Sequence, residues 1–289
     1  MVAMGRKVYR ATPWRVARKA YLKLFLKVVR GRRTVATVEG LTYDFDLSEM
    51  IDVGVYLREY ERDIVRAIEH VCRPGWVVFD IGANIGAHTL RCARVIGPTG
   101  KVFAFEPTDY AYRKLVCNIS LNPFENVHAV RLALSERNAD RGTIRVRSSW
   151  PSDGRRVVET SVVDFRRLDD WCLERAVDRV NLIKLDVDGT EFEILAGARD
   201  VLRRSRPVVL MEVGAWHFKV PSRNPLMMLH ELGYRLWDTR SLREYESPDA
   251  IATLLPRVDD EMTVSLNVMA ALTWPETASG GGSEDWRSS

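Results

Sequence analysis

The stretch that most constrains this chain runs from Trp76 to Pro107, WVVFDIGANIGAHTLRCARVIGPTGKVFAFEP. Val77 to Phe79 is a short apolar run ending in Asp80, the pattern of a buried parallel strand. A glycine turn follows, Gly82-Ala83-Asn84-Ile85-Gly86, and leads into a helical segment from His88 to Val95. Pro98-Thr99-Gly100 then turns the chain into a second apolar strand, Lys101 to Phe105, which ends in Glu106 and Pro107. Strand, glycine turn, helix, strand and acid is the order that holds a nucleoside cofactor. Glycines let the backbone turn tightly and approach a ligand, and the acid accepts hydrogen bonds from ribose hydroxyls. Glu106 lies 20 residues past Gly86, which is the usual offset.

The ligand need not be a dinucleotide. The spacing Asp80-x-Gly82-x-Asn84-x-Gly86 is not G-x-G-x-x-G, and a pyrophosphate would be repelled by Asp80. A ligand carrying an ammonium and a sulfonium tolerates that carboxylate, which points to S-adenosylmethionine. An NAD-dependent oxidoreductase is disfavoured by the same spacing and by Asp80.

Four blocks in order, VVFDIGANIGAHTL, FAFEPTDYAYRKLVCNISLN, IKLDVDGTEFEILAGA and PVVLMEV, resemble the FkbM-type family of S-adenosylmethionine-dependent methyltransferases. The resemblance covers roughly residues 56 to 215. It implies O-methyl transfer to a sugar, a glycan or a natural product, without fixing the acceptor. Tyr56, Glu59 and Glu61 fall in the segment that, in that family, precedes the glycine turn and closes over the cofactor. The expected fold is α/β: a class I, Rossmann-like, doubly wound sheet of seven mostly parallel strands, with the last strand, within 262–272, antiparallel.

In such a sheet, ligands sit at the carboxyl ends of the strands. The expected strand ends carry Asp80, Glu106, Ser135, Asp186 and Glu212. The cofactor side is therefore assigned to Asp80, Gly82, Asn84, Gly86, Glu106, Pro107, Ser135 and Asp186, with Ser135 beside the adenine. Methyl transfer to an alcohol needs a proton acceptor. Asp186, Asp188, Glu212 and His217 are the catalytic candidates, and Glu191 is either a further base or a first-turn helix residue. His88 either lines the cofactor pocket or packs. No metal is assigned, although Asp186, Glu212 and His217 form a set that would suit a divalent ion.

The rest of the chain bears on partners. Residues 1–38 hold eleven Lys or Arg and no acid, whereas the whole chain is +4, so the remainder is acidic. From Trp14 to Val29 the basic and apolar residues separate onto two helix faces. That basic helix suits an anionic membrane surface near residues 13–30, packing on the domain, or a homodimer contact; nucleic acid is the weakest fit. The expected domains are 1–55 (basic helix and short strands), 56–272 (cofactor-binding domain) and 273–289 (a Gly/Ser-rich disordered tail). A hairpin or two short strands are expected over Thr34–Asp46, one helix over Val55–Val71, and an inserted hairpin over Asp140–Phe165. There is no signal-peptide pattern, and four scattered cysteines suit reduced thiols, so the expected location is the cytoplasm, up to the inner face of the membrane.

Overall fold

The computed structural model describes residues 28–29, 31–149, 157–187, 189–255 and 265–274. Most of the basic N-terminal segment, the tip of the inserted hairpin, Asp188 and the chain beyond 274 lie outside the described residues.

The described chain opens with a hairpin, β1 (Arg33–Val38) and β2 (Leu41–Asp46), paired antiparallel from Arg33↔Asp46 to Val38↔Leu41. Its two-residue turn has positive φ at Glu39 (49°) and Gly40 (76°), which matches the twist of the two strands. Alternation puts Leu41, Tyr43 and Phe45 on one buried face, packed on Val53 and Val55 and on Ile85 and Leu90 beside the glycine turn. The hairpin thus backs the turn from outside the main sheet.

The helix expected over Val55–Val71 is two helices, α1 (Met50–Tyr56) and α2 (Arg62–Val71). Between them Arg58 (φ 60°) and Glu61 (φ 35°) adopt the left-handed conformation, and the Glu59 and Tyr60 amides both turn back to the Gly54 carbonyl. Helical periodicity persists across this break, so the sequence alone did not reveal it.

The core follows as β3 (Val77–Ile81), α3 (Ala87–Ile96), β4 (Lys101–Phe105), α4 (Asp109–Ser120) and β5 (Val127–Val130). The chain then leaves the main sheet. β6 (Ala133–Leu134), β7 (Ala139–Ser149) and β8 (Val157–Arg166) form a separate three-stranded sheet, in which β7 and β8 are the expected inserted hairpin. α5 (Leu168–Glu174) leads to β9 (Leu182–Leu185), then α6 (Glu191–Ala196), α7 (Arg199–Ser205) and β10 (Val208–Gly214). α8 (Pro225–Glu231), β11 (Arg235–Asp238), β12 (Glu244–Tyr245), α9 (Pro248–Ala252) and β13 (Ser265–Ala271) complete it.

The main sheet has the order β12-β11-β13-β10-β9-β3-β4-β5. β5, β4, β3, β9 and β10 are parallel, and β13 is antiparallel to both β10 and β11. Strand order reverses between β3 and β9, the switch point at which doubly wound sheets bind ligands. This is the expected class I arrangement with one correction: the sheet has eight strands, not seven, because Glu244–Tyr245 adds a two-residue edge strand. Below the switch point Trp171 of α5 packs edge-on against Phe79, Phe103 and Phe105, with ring centroids 5.0–5.7 Å apart. Buried aromatic pairs of this kind fix the two central strands against their helical layer.

Candidate cofactor and acceptor site

The glycine turn is built from three alternate left-handed residues: Gly82 (φ 79°), Asn84 (49°) and Gly86 (88°). Asparagine is one of the few side chains that tolerates this region. At Gly82 the demand is steric as well. A Cβ there would lie 1.8 Å from the Asp186 carbonyl oxygen, so only glycine lets the turn touch the loop after β9. At Gly86 a Cβ would lie 2.8 Å from Leu115 of α4. Both glycines therefore close the turn onto the protein's own neighbours.

Glu106 follows β4 and is 5% exposed. Its Oε1 accepts from the Thr108 amide (2.9 Å) and hydroxyl (2.6 Å), and its Oε2 accepts from the Asn84 amide at 3.0 Å. A carboxylate oxygen accepts two hydrogen bonds comfortably, so Oε2 retains a position for a ligand hydroxyl. Burial pushes the Glu106 carboxyl above its ordinary range, against these donors and the Lys184 ammonium. Pro107 is partly buried directly after it.

On the other side of β3, Lys184 stands in β9 at the register position of Asp80. Its ammonium is 3.2 Å from Asp186 Oδ2, 3.6 Å from Asp80 Oδ1 and 3.3 Å from the Gly82 carbonyl. Burial opposes the charge on Lys184, but Asp186 and Asp80 outweigh it and raise the lysine above its ordinary value. Asp80 is fully buried and also accepts from Thr89 Oγ1 at 2.6 Å. Its partners are thus inside the protein. Burial likewise opposes charge on Asp186, yet the Lys184 ammonium overrides it and holds that carboxyl below the usual range. Lys184 was not among the sequence candidates. Its signal was a lone lysine inside an apolar strand, which has to meet an anion when buried.

Glu212 lies within β10, two residues before its end, and pairs across to Asn267 of β13. Its carboxyl donates to Asp186 and accepts from Ser265. It also lines a cavity of about 940 Å³. Tyr60 enters the same centre from the break between α1 and α2. Its ring stacks on His88 at 5.4 Å, and burial beside Glu61, Asp186, Glu212 and Asp80 raises its phenol far above the ordinary value. Glu61 meets His88 Nε2 at 2.6 Å. Tyr56 instead packs edge-on against Phe45, in the hairpin core.

Two candidates are placed otherwise than expected. The third core strand ends at Val130, not Leu134, so Ser135 is not at its carboxyl end; its amide binds the Arg166 carbonyl of the second sheet. His217 is 5% exposed, with both ring nitrogens engaged: Nδ1 accepts from the Gly214 amide (3.1 Å) and Nε2 meets Glu191 Oε2 (2.7 Å). Glu191 is fully buried and its Oε1 accepts from the Val187 and Gly189 amides. The pair pins the loop after β9 to the loop after β10 and offers no free base. Among the described residues no three His, Cys, Asp or Glu side chains converge to hold a metal ion.

The methyltransferase FkbM domain family matches residues 80–236, more than half of the chain. This chain belongs to that family. Among curated relatives, the 2-O-methyltransferase NoeI of Sinorhizobium fredii is 30% identical over 164 residues, which is 50% of this chain and 65% of NoeI. The hexuronic acid methyltransferase AglP of Haloferax volcanii is 28% identical over 193 residues, 63% of this chain and 74% of AglP. The 31-O-demethyl-FK506 methyltransferase FkbM of Streptomyces tacrolimicus is 30% identical over 203 residues, 58% of this chain and 73% of that protein. The matched part of this FkbM-family chain contains both carboxylates that flank β3, together with Lys184, His217 and Glu212. It leaves out the β1–β2 hairpin, Tyr60 and Ser265, which complete the centre from outside.

Proposed function

We propose that this protein transfers the methyl group of S-adenosylmethionine to a hydroxyl of a sugar, a glycan or a hydroxylated natural product. The observation that carries the reading is the joined pair Asp186 and Glu212, at neighbouring parallel strands beside the switch point, with Glu212 opening into the large cavity. When bound, S-adenosylmethionine supplies an electrophilic methyl on its sulfonium. The Gly82–Gly86 turn and Glu106 Oε2 would hold its nucleoside, the carboxylate accepting a ribose hydroxyl. Asp186, kept anionic by Lys184, suits a cationic group and is a weak base for the same reason. Proton removal is assigned to Glu212, which borders the cavity where an acceptor would lie and which acts as a base once it has released the proton it shares with Asp186. Asp188 remains a candidate on sequence alone. His217 and Glu191 act as positioning residues for the two loops.

Calorimetry with S-adenosylhomocysteine, followed by label transfer from S-adenosylmethionine to a panel of hydroxyl acceptors, tests this. The expected result is binding by the wild type and by Glu212→Gln, with kcat in that variant lowered about 10²–10⁴-fold. Binding without transfer to any hydroxyl would make the protein a scaffold. No binding would sink the reading entirely.

A further inference from the structure

The cavity that reaches Glu212 has an unusual wall. Among the described residues that line it, Leu57 alone is apolar. Four arginines border it: Arg58, Arg62, Arg66 and Arg240. Arg58, Arg62 and Arg66 also border a second cavity of about 300 Å³ between α2, the hairpin and α3. They recur every four residues across the break that carries Tyr60. Like charges at that spacing oppose one another on a helix face, so the arrangement adds nothing to folding by itself.

Four acids share the wall with the four arginines, Glu59, Glu61, Asp63 and Glu212, and none of them is without a partner. Glu61 is bound to His88, and Asp63 accepts from Asn267 (3.1 Å), Thr239 (3.2 Å) and Arg240 (3.2 Å). Glu212 is joined to Asp186 and Ser265. Two arginines are not so consumed. Arg62 gives one Nη1 hydrogen bond to the Arg58 carbonyl (3.0 Å), and no ion pair of Arg62 or Arg58 occurs among the described residues. Guanidinium groups are planar forks that match carboxylate and phosphate oxygens. A wall with eight charged side chains leaves an apolar polyketide facing groups it cannot pair, whereas a hydroxylated ring carrying an anion would satisfy both the arginines and Glu212.

We propose that the acceptor is an anionic sugar, a uronate or a sugar phosphate, whose charged group is held by Arg58 and Arg62 while its hydroxyl meets Glu212. The proposal rests on the methyltransferase reading and narrows its acceptor.

The test uses the full chain saturated with S-adenosylhomocysteine. Methyl glucuronide, methyl glucoside, glucose phosphate and a macrocyclic polyketide alcohol are titrated by calorimetry. Wild type is compared with Arg58→Gln, Arg62→Gln and the double variant; both arginines are exposed, so the fold tolerates these changes. Methyl glucuronide, glucose phosphate or both should bind at least about tenfold more tightly than methyl glucoside, and which of them does so names the anion. The double variant should cut that ratio to about threefold or less, while its affinity for S-adenosylhomocysteine stays unchanged. Added salt should weaken the anionic sugars selectively. The proposal falls if the glucuronide, the phosphate and the glucoside bind alike, if none of them binds, if the polyketide binds best, or if the double variant keeps the preference. Failure of S-adenosylhomocysteine to bind the wild type is a separate result and sinks the methyltransferase reading instead.

Discussion

β3 is flanked by two strands that are each followed by a carboxylate, buried at Glu106 and partly buried at Asp186, and the two are driven in opposite directions. Glu106, after β4, is met mainly by neutral donors, the Asn84 and Thr108 amides and the Thr108 hydroxyl, and burial wins: its carboxyl rises above the ordinary range. Asp186, after β9, is met by the Lys184 ammonium at 3.2 Å, and burial loses: its carboxyl falls below that range. Backbone and hydroxyl dipoles offset part of the cost of burying a carboxylate, but a full opposite charge offsets more than all of it. The difference divides the labour. Glu106 is suited to exchange hydrogen bonds with neutral hydroxyls, and Asp186 to remain an anion in every state of the site.

The hardest test of that contrast is Lys184→Met. It leaves the fully buried Asp80 and the partly buried Asp186 without their cation, and removing one partner of a buried pair costs about 3–5 kcal/mol. Denaturant unfolding should show a loss of that order. Adding Asp80→Asn to Lys184→Met should restore part of it, because one stranded charge is then removed. A loss below about 1 kcal/mol would mean that Lys184 does not set the state of Asp186.

Gly82→Ala asks whether the two halves are mechanically joined. Its Cβ would collide with the Asp186 backbone and would sit at a φ of 79°. Strain of this kind costs about 1–3 kcal/mol, and here it separates the turn from the β9 loop. Affinity for S-adenosylhomocysteine should fall at least tenfold, more than the melting temperature alone predicts. A variant that binds normally would show that the contact between the turn and Asp186 is dispensable.

The two halves were unequally legible in the sequence. The β3–β4 side could be read because its chemistry is contiguous: turn, helix, strand and Glu106 occupy one stretch, and strand and turn periodicities announce each part. The β9–β10 side depends on pairings across the sheet. Lys184 looks like an interruption of an apolar strand until register sets it opposite Asp80. His217 looks like an available base until Glu191, from the first turn of α6, takes its Nε2. Ser135 was misplaced because the apolar run Val127–Leu134 continues after the chain has left the main sheet at Val130. Tyr60 was passed over because the family resemblance pointed to Tyr56, Glu59 and Glu61, and it is the left-handed break at Arg58 and Glu61 that stacks Tyr60 on His88 while Tyr56 packs on Phe45. The antiparallel β13, by contrast, follows from its position as the last apolar run of the α/β pattern.

The smallest and sharpest test is a pair of pH curves. A carboxyl raised in the folded state makes the protein lose stability as pH rises from the ordinary carboxylate value through the raised one. Glu106→Gln removes that loss, so its stability relative to wild type should climb with pH across a window above the ordinary carboxylate range. A lowered carboxyl contributes stability above its ordinary value, and that contribution disappears as pH falls through the lowered one. Asp186→Asn forgoes it, so its relative stability should drop with rising pH across a window below the ordinary range. Each slope is at most about 1.4 kcal/mol per pH unit, and outside its window each curve is flat. Unfolding followed from acid to neutral pH in the absence of ligand measures both. Opposite slopes in separate windows are the expected outcome. Slopes of the same sign would mean that Lys184 and the amides around Glu106 act alike, and the division between a hydrogen-bonding acid and a fixed anion would be lost. Ligand binding gives an independent reading of the Glu106 arm. A ribose hydroxyl donating to Oε2 favours the ionised form, so S-adenosylhomocysteine should release protons on binding inside that window. The calorimetric enthalpy should then vary with the ionisation enthalpy of the buffer in wild type and be constant in Glu106→Gln.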